Sequence, residues 1–455
     1  MKILREINPH IFRGYDIRGI YGEDLTEDVV YTIGLAFGTY IQTLGKNKVI
    51  IGMDNRASSV SLKDALIEGV TSTGVDVIDI GLCTTPMYYF AWELLNIPSG
   101  LMITASHNPK EYNGLKFAFD ERGNAYGEYI QEFRKNILEA EFKEGQGKVT
   151  KVDILNEYIQ RLQGGVNFGS RKLKVVVDPG NGTASDFVKP IFSKFPNLEV
   201  TYICDESDAN FPNHHPDPSI EKNLEMLKTA VMENNADVGL GLDGDADRIG
   251  VITENGDFMP IDHYMIIIAR DILSKSKENK ILFDVKCTKA LADEIENLGG
   301  EYERYRVGNS YLKARMKEGN FAFGGEFSGH IFFRDKWSGF DDGIYAGLRL
   351  LEILSHTDKK VSELEEGINK YYASSEIKIK STEDKKFSLV EKVEEYAVSC
   401  GYNINKIDGV RVEENSWWAL VRASQTGPDV TLRCEATTEE KLNELLKEFE
   451  SVLKE

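Results

Sequence analysis

The sequence predicts an α/β protein of three similar mixed α/β domains followed by a smaller C-terminal α+β domain. The first observation is a pattern that occurs three times, in which a short apolar strand leads into a polar turn and then an amphipathic helix. The second is that this pattern changes after about residue 373 to a strand, a helix, three strands and a charged helix. Strands that alternate with helices favour mostly parallel sheets covered on both faces, with ligands at the carboxyl ends of the strands.

The repeated strands are expected at residues 48–53, 174–178 and 280–285, with polar turns at 54–56, 179–182 and 286–288. A helix should follow each turn, from about Leu62 in the first segment, directly after the turn in the second and from about Ala290 in the third. The tail strands are expected at 376–379, 409–413, 417–423 and 430–436. Changes of pattern place the four domains at 1–152, 153–256, 257–371 and 372–455.

Composition narrows the range of partners and compartments. The 455 residues carry a formal net charge of −20, which disfavours nucleic acid and anionic membrane surfaces as partners. The five cysteines are scattered without CxxC spacing, so free thiols in a reducing cytoplasm are expected. Residues 1–14 lack the apolar stretch of a signal peptide, and no apolar run reaches the length of a membrane span. No motif points to an obligate protein partner.

An acidic motif, Asp243-Gly244-Asp245-Ala246-Asp247-Arg248, lies between two apolar runs at 236–242 and 249–253 that are expected to be strands. In an extended or tightly looped backbone the three aspartates project to the same side. Two carboxylates about 5 Å apart repel by roughly 3 kcal/mol at an effective dielectric of about 20, so three of them require a cation. Hard oxygen ligands on a short loop favour Mg²⁺.

Two other interpretations of this motif are a solvated turn and a calcium-binding EF-hand loop. An EF-hand loop requires glycine at its sixth position and helices on both sides. Arg248 occupies the sixth position and predicted strands flank the motif, although Glu254 falls at the twelfth. The sequence therefore favours the magnesium site.

A serine and a lysine lie at the ends of two predicted strands in the first domain. Ser106 follows an apolar run at 100–103 and precedes an Asn-Pro turn, where an exposed hydroxyl can act as a nucleophile if it is activated. Capping of a helix or turn is the commoner role of such a serine. No Gly-x-Ser-x-Gly motif surrounds it, which disfavours acyl transfer. Lys116 lies where a second strand would return to the same edge, although a single lysine is more often a solvated surface residue.

Two loops in the second half of the chain carry groups suited to a phosphorylated sugar. Residues 324–330 combine glycines, which allow close approach to a ligand, with Glu326, Ser328 and His330, whose side chains suit sugar hydroxyls. Residues 422–428 offer a guanidinium, two hydroxyls, an amide and backbone N–H groups to a phosphate dianion. Taken alone, the first loop is a weak signal, and the second is also compatible with a polar hairpin loop.

Together these motifs resemble those of the α-D-phosphohexomutase family, most closely its bacterial phosphomannomutase/phosphoglucomutase branch. The resemblance covers the whole chain. It begins at Phe12-Arg13-Gly14-Tyr15-Asp16-Ile17-Arg18-Gly19 and continues through residues 104–109, 243–248, 283–288, 325–330, 340–343 and 422–428. It implies a fold of four domains in a heart-shaped arrangement around a central active-site cleft.

The resemblance also implies roles for individual residues. Ser106 would be the phosphoserine, and its phosphate would share a Mg²⁺ ion with the three aspartates of the acidic motif. The positions matched to catalysis and metal binding are Arg18, Ser106, Lys116, Asp243, Asp245, Asp247 and His330. The positions matched to substrate binding are Tyr15, Arg248, Lys286, Asn309, Glu326, Ser328, Arg422, Ser424, Gln425 and Thr426. Among these, residues 326 and 328 would hold the sugar, and residues 422–426 would grip the non-reacting phosphate.

The reaction implied is a phosphoryl relay between a hexose 1-phosphate and a hexose 6-phosphate, with glucose, mannose or both as the hexose. Phospho-Ser106 gives its group to the free hydroxyl of the monophosphate, and the resulting hexose 1,6-bisphosphate returns its other phosphate to Ser106. Such transfer depends mainly on positioning and charge neutralisation. The resemblance thus implies small-molecule hexose phosphates as partners, and Mg²⁺ and hexose 1,6-bisphosphate, the latter as activator and intermediate, as cofactors.

Three alternatives stay open at this point. The first is a catalytically silent sugar-phosphate binding protein, against which the presence of Ser106, Lys116 and the three aspartates argues. The second is a phosphatase, in which water would intercept the phosphoserine. The third is phosphoglucosamine mutase, whose members usually carry Gln where Phe327 stands. Two positions depart from the pattern of the branch: Asn309 replaces a common His, which bears on the sugar preference, and Gln425 replaces a commoner Asn.

Overall fold

Four β-sheets organise the residues that the computed structural model describes, which are 1–276, 279–382, 384–424 and 427–454. The chain divides into two compact units. The first contains Met1–Ile261 and Ser328–Leu364, and the second contains Asp262–Phe327 and Glu365–Glu455. The domain boundaries expected from the sequence stay predictions.

The first sheet and its helices contain the elements β1 (Ile17–Ile20), α1 (Glu27–Thr43), β2 (Lys48–Met53), α2 (Ser59–Thr71), β3 (Asp76–Leu82), α3 (Thr85–Leu95), β4 (Gly100–Ile103), β5 (Tyr112–Ala118), α4 (Glu128–Glu139) and β6 (Val149–Lys151). The strand order is β1-β5-β4-β2-β3-β6. As predicted, most pairs are parallel, but β5 runs antiparallel to both β1 and β4. The connection between β4 and β5 is too short for the helical crossover that a parallel pair requires.

The second sheet contains α5 (Leu155–Gly165), β7 (Leu173–Asp178), α6 (Val188–Phe192), β8 (Leu198–Tyr202), α7 (Glu225–Asn234), β9 (Val238–Leu242), β10 (Ile249–Thr253) and β11 (Phe258–Met259). β7 lies between β8 and β9 in parallel, whereas β9, β10 and β11 are antiparallel. The single helix predicted after residues 179–182 is instead a 3₁₀ turn, Thr183–Asp186, followed by the short α6. Pro190 has no N–H to donate to the Asp186 carbonyl, so one continuous helix would lose a hydrogen bond there.

The third sheet follows the predicted order, with α8 (Ile261–Lys275), β12 (Lys280–Asp284), α9 (Lys289–Asn297), β13 (Glu301–Tyr305), α10 (Asn309–Gly319) and β14 (Phe323–Gly325). β12 pairs in parallel with β13 and with β14. The next elements, β15 (Ile331–Phe333) and α11 (Gly343–Ser355), belong to the first unit. There α11 packs against β7, β9 and β10, so it covers the second sheet.

The tail is a small α+β domain, as predicted. Its elements are β16 (Tyr372–Ala373), β17 (Ile377–Ile379), α12 (Lys386–Ser399), β18 (Ile404–Asn405), β19 (Val410–Glu414), β20 (Trp417–Ala423), β21 (Val430–Ala436) and α13 (Glu439–Lys454). The strands pair antiparallel in the order β16-β21-β20-β19-β18, and β17 also pairs with β21. Val421, Leu432 and Phe449 lie in the core between this sheet and its helices. The sequence analysis missed β16 and β18, which have too few residues to show a period.

Two expectations from composition can be compared directly with the structure. All five cysteines are free thiols. Within the described ranges, every helix is too short or too polar to cross a bilayer.

Candidate active site

Two loops of the first unit bring Ser106 and the acidic motif together. Ser106 follows β4 and has a left-handed backbone with φ of 49°. Residues 243–247, here named the aspartate loop, form the turn between β9 and β10. The loops touch at Gly244, where a Cβ would lie 2.5 Å from the Ser106 carbonyl oxygen. Only glycine allows this approach, so the contact fixes the position of the serine against the aspartates.

The three aspartates converge as predicted, but for a different reason. One carboxylate oxygen from each of Asp243, Asp245 and Asp247 lies within 4.8 Å of the other two, and all three side chains are fully buried. The backbone does not alternate as in a strand; it turns, with a positive φ of 63° at Ala246. Burial and the charges of Asp247 and Asp245 raise the pKa of Asp243 well above its usual range. A cation would relieve this unfavourable electrostatics.

Lys116 supplies part of the required positive charge. Its Nζ lies 2.8 Å from Asp245 Oδ2 and 2.5 Å from Asp247 Oδ2, and its side chain is buried rather than solvated. Burial alone would raise the pKa of Asp245, but the charge and hydrogen bond of Lys116 outweigh burial and lower it. The Oδ1 atoms of Asp245 and Asp247 are buried and have no hydrogen-bond partner among the described residues. These oxygen donors fit a Mg²⁺ ion, which prefers carboxylate ligands.

Ser106 is buried, which corrects the expectation of an exposed hydroxyl. It is 3% exposed, its Oγ donates to Asp243 Oδ2 at 2.7 Å, and its Oγ lies 3.2 Å from His107 Nδ1. The aspartate loop covers the serine on one side. Burial and the positive charge of Arg248 hold the pKa of His107 well below its usual range, so its imidazole is neutral at pH 7. The sequence analysis missed His107, although it lies inside the motif at 104–109.

Arg56 holds the serine loop from the other side. Its Nη2 donates to the carbonyl oxygens of Ser106 at 2.7 Å and Asn108 at 2.6 Å, and its Nη1 donates to those of Pro109 and Tyr112. A rigid guanidinium fork that bonds four carbonyls stabilises one loop conformation. The sequence placed this arginine in a polar turn after a strand but gave it no role.

Two threonine hydroxyls complete the surroundings of Asp245. Thr85 Oγ1 donates to Asp245 Oδ2 at 2.5 Å, and Thr104 Oγ1 donates to the same oxygen at 3.1 Å. The Thr85 backbone N–H also donates to the Asp245 carbonyl at 3.0 Å. Hydrogen bonds of this kind orient a carboxylate that binds a metal. Nothing in the sequence around Thr85 indicated this role.

His330 and Arg248 lie beside the aspartate loop, as the resemblance implied. The Arg248 backbone N–H donates to Asp243 Oδ1 at 3.1 Å, and Arg248 Nε donates to His330 Nε2 at 3.0 Å. His330 Nδ1 lies 2.8 Å from Asp341 Oδ2 and 3.4 Å from Asp247 Oδ1. The imidazole is therefore held by an arginine on one nitrogen and by a carboxylate on the other. Asp341, in the quoted motif at 340–343, is a contact that the sequence analysis did not identify.

Arg18 and Tyr15 also belong to this group. Arg18 Nη1 donates to Asn108 Oδ1 at 2.6 Å, so it contacts the loop that carries the serine, and Nη2 donates to Asp16 Oδ2 at 2.5 Å. Tyr15 lies close enough to interact electrostatically with both Arg18 and Arg248. The first unit thus brings together all the predicted residues of the phosphoryl-transfer site.

The predicted sugar-binding residues fall in both units. In the second unit, Glu326 is buried and accepts a hydrogen bond of 2.5 Å from the Gly308 backbone N–H. Asn309, at the start of α10, is buried, and its Oδ1 lies 3.2 Å from Ser310 Oγ. In the first unit, Ser328 is half-buried in the turn that precedes His330.

The predicted phosphate loop lies in the second unit. Arg422 is buried, its Nε donates to Asp408 Oδ2 at 3.0 Å, and its Nη2 has no hydrogen-bond partner among the described residues. The Ser424 N–H donates to the Asp429 carbonyl at 2.8 Å. The remaining two predicted residues of this loop, Gln425 and Thr426, lie outside the described residues.

Further cations of the second unit surround Glu376. Lys286 Nζ lies 3.5 Å from Glu376 Oε1. Burial would raise the pKa of Glu376, but the charges of Lys286, Lys378 and Arg433 contribute to lowering it. The Arg433 guanidinium lies 3.6 Å from the centre of the Phe327 ring, and its Nε and Nη1 have no hydrogen-bond partner among the described residues. This is a local basic site in an acidic protein, and the sequence analysis identified only one of its two lysines and missed Arg433.

Comparison with known families agrees with the resemblance seen in the motifs. Four models described as phosphoglucomutase/phosphomannomutase match the chain in sequence. The α/β/α domains I, II and III match residues 9–144, 156–256 and 260–371, and the C-terminal domain matches residues 376–452.

Individual relatives match over nearly the full chain. A phosphomannomutase/phosphoglucomutase of Pseudomonas putida is 41% identical over 97% of this chain and 95% of its own length. A phosphoglucomutase of Neisseria gonorrhoeae is 39% identical over 99% of this chain and 98% of its own length. A crystal structure of a phosphoglucomutase/phosphomannomutase family protein from Burkholderia thailandensis superimposes with a TM-score of 0.91 at 36% identity, covering 99% of this chain and 98% of that one. The chain therefore belongs to the phosphoglucomutase/phosphomannomutase family, in the bacterial branch of the α-D-phosphohexomutases, and has the four-domain α/β fold of that family.

Proposed function

We propose that this family member is a phosphohexomutase, an intramolecular phosphotransferase that interconverts hexose 1-phosphate and hexose 6-phosphate. The reaction proceeds through phospho-Ser106 and a hexose 1,6-bisphosphate. The observation that carries the proposal is the hydrogen bond of 2.7 Å between Ser106 Oγ and Asp243 Oδ2. It places a nucleophilic hydroxyl against a buried carboxylate cluster, which is the arrangement that a metal-assisted phosphoserine requires.

The residues of the first unit divide the work of transfer between them. Asp243, Asp245, Asp247 and the Ser106 phosphate would hold Mg²⁺, which when bound supplies positive charge to the phosphoryl oxygens. Lys116 lies beside the same carboxylates and neutralises two of them. Phosphoryl transfer depends chiefly on such positioning and charge neutralisation.

Arg18 and His330 are proposed to act where the phosphoryl group and the proton of the sugar hydroxyl move. Arg18 contacts the serine loop through Asn108, and His330 is oriented by Asp341 and Arg248. An imidazole that is held on both sides cannot rotate away from the reacting hydroxyl. Its fixed position favours proton transfer at one atom.

The second unit is proposed to bind the rest of the substrate. Arg422, with an Nη2 that no described residue pairs, and Lys286 would grip the phosphate that does not react. Glu326, together with Ser328 of the first unit, would accept and donate hydrogen bonds to the 3- and 4-hydroxyls of the sugar. Gln425 and Thr426 are proposed to belong to the same phosphate loop by their motif position.

The sugar preference follows from what these contacts do not distinguish. Glucose and mannose share the 3- and 4-hydroxyls and differ only at C2. The 3- and 4-hydroxyls also exchange places when the bisphosphate turns over, so one pair of contacts serves both orientations. We therefore propose that both sugars are substrates, with kcat/KM values within a factor of about ten of each other.

A coupled assay with glucose, mannose and glucosamine phosphates side by side tests this proposal. Turnover should be abolished by EDTA and restored by Mg²⁺, and glucosamine phosphate should be the poorest substrate. A preference between glucose and mannose above about a thousandfold, or roughly 4 kcal/mol, would require a residue that reads C2. Dominant turnover of glucosamine phosphate would instead indicate phosphoglucosamine mutase. Stoichiometric release of inorganic phosphate would indicate a phosphatase, and no turnover at all would indicate a binding protein.

A further inference from the structure

A second cluster of potential metal ligands lies in the first unit and shares no residue with the aspartate loop. Asp178 ends β7, Cys204 follows β8, and His214 lies in the loop beyond. One ligand atom from each lies within 4.8 Å of the other two. Because β7 and β8 are parallel neighbours, their carboxyl ends meet at one edge of the sheet, which brings Asp178 and Cys204 together.

The imidazole of His214 is held in an orientation that suits a metal ligand. Its Nε2 lies 3.0 Å from Asp178 Oδ2, and its Nδ1 lies 3.0 Å from the His215 carbonyl oxygen. A histidine that binds a metal usually donates its other ring nitrogen to a carbonyl or carboxylate, as Nδ1 does here. Asp178 Oδ1 accepts from the Gly180 N–H at 2.9 Å, so Oδ2 is the oxygen that faces the cluster.

A simple ion pair or a reactive thiol would account for less of this cluster. An ion pair between His214 and Asp178 involves two of the three residues and leaves the position of the thiol without a reason. A cysteine nucleophile activated by histidine requires a lowered thiol pKa. Burial instead raises the pKa of Cys204, and both ring nitrogens of His214 are already engaged by oxygen atoms.

We propose that Asp178, Cys204 and His214 form a second metal site, which takes a borderline transition-metal ion such as Zn²⁺ and not Mg²⁺. One sulfur, one nitrogen and one oxygen ligand form a set that zinc accepts and magnesium rejects. On binding, the ion replaces the thiol proton and the proton on Nε2. Cys204 is half-buried, so water can fill the fourth position.

The site connects to the aspartate loop through the backbone. The Asn181 N–H donates to the Cys204 carbonyl at 2.8 Å, and the Thr183 N–H, two residues further on, donates to the Gly244 carbonyl at 2.9 Å. A metal that ties Asp178 to Cys204 would therefore stabilise the segment that supports the aspartate loop. Binding of Zn²⁺ should raise the Tm of the protein beyond the value reached with Mg²⁺ alone.

Titration with Co²⁺ in saturating Mg²⁺ tests the proposal, because excess Mg²⁺ occupies the aspartate loop. Wild-type protein should bind one equivalent of Co²⁺ and develop a thiolate-to-cobalt charge-transfer band. The band should be lost in Cys204→Ser and should require at least about tenfold more Co²⁺ in His214→Gln. The matched control is Cys400→Ser, which removes an exposed cysteine and should leave the band unchanged.

Alkylation of the wild-type protein gives a second measurement that needs no variant. Zn²⁺ in the presence of Mg²⁺ should slow the reaction of Cys204 with iodoacetamide at least about tenfold, while Cys400 reacts at the same rate with and without Zn²⁺. Absence of the cobalt band in wild-type protein, a band that persists in Cys204→Ser, or equal alkylation of Cys204 with and without Zn²⁺ would each overturn the proposal.

Discussion

The Ser106 hydroxyl donates a hydrogen bond of 2.7 Å to Asp243 Oδ2, although 137 residues separate the two in the chain. The bond joins the loop after β4 to the turn between β9 and β10, and both side chains are buried. A phosphate on Ser106 would add nearly two negative charges beside three carboxylates. The cations and hydrogen-bond donors around this point therefore decide whether the site is stable and active.

Lys116→Met should make the protein strongly dependent on Mg²⁺ for stability. The change removes the cation that pairs with Asp245 and Asp247, and breaking a buried pair of this kind costs about 3–5 kcal/mol. Mg²⁺ can replace the lost charge, so it should raise the Tm of the variant by several degrees more than that of the wild type. Lys63→Met is the matched control, because this buried lysine pairs only with Asp79 in the described contacts. Equal Mg²⁺ shifts in both variants would contradict this account of Lys116.

Thr85→Val should weaken Mg²⁺ binding by about tenfold, because it removes a hydroxyl that orients Asp245 without changing the charge of the site. The dependence of activity on Mg²⁺ concentration, and calorimetric titration of the phosphate-free enzyme, both measure the effect. Thr73→Val provides the control, since that buried hydroxyl donates to the Val70 carbonyl instead. An unchanged Mg²⁺ affinity in Thr85→Val would mean that the threonine has only a packing role.

Asp342→Asn should change how stability depends on pH. Burial raises the pKa of Asp342 from 3.8 to about 7, although hydrogen bonds from the Tyr345 N–H and the Tyr158 hydroxyl oppose the shift. A carboxyl whose folded pKa is raised stabilises the protein below its unfolded pKa and loses that contribution as pH rises to the folded value. The loss between pH 4 and about 7 amounts to at most roughly 4 kcal/mol.

The asparagine variant does not ionise, so its Tm should rise relative to that of the wild type by several degrees between pH 4 and 8. Thermal unfolding across this range measures the difference. Asp153→Asn serves as the control, because that exposed carboxylate also accepts a bond at a helix start, from the Leu155 N–H. A constant difference between Asp342→Asn and wild type would show that Asp342 does not titrate in this range.

Arg422→Ala should raise KM for hexose phosphates while changing kcat much less. A charge-assisted contact to a phosphate is worth roughly 2 kcal/mol, which corresponds to about thirtyfold in KM. Arg315→Ala, which removes a guanidinium paired with Glu303 in the same unit, should leave KM unchanged. If KM is the same in Arg422→Ala and wild type, another residue grips the non-reacting phosphate.

The sequence predicted the repeated strands and the residues of the site better than the reasons why those residues meet. The aspartates were expected to converge through strand alternation, but a turn with a positive φ at Ala246 brings them together. Local patterns report side-chain period and turn composition, and they carried no signal for the close approach of Gly244 to Ser106. The burial of Ser106 follows from that long-range contact, so the expected exposure was wrong.

The supporting residues were harder to predict for the same reason. Arg56 bonds the carbonyls of the serine loop, and Thr85 bonds Asp245, 160 residues away in the chain. Each role depends on a partner that the neighbouring sequence does not reveal. By contrast, the tail strands and their helices were predicted well, because alternating apolar residues and short turns determine them locally.

The central claim is that Ser106 carries the transferred phosphoryl group, and a single-turnover experiment tests it most directly. Purified protein is phosphorylated with glucose 1,6-bisphosphate, freed of sugar, and mixed with a stoichiometric amount of glucose 6-phosphate in Mg²⁺. Intact mass and peptide mapping should show the phosphate on Ser106 before mixing and its loss on the time scale of turnover, with matching formation of glucose 1,6-bisphosphate. Ser106→Ala should accept no phosphate and lose at least about a hundredfold in kcat. Wild-type turnover in Ser106→Ala, or a phosphate that stays on Ser106 while the sugars interconvert, would contradict the claim.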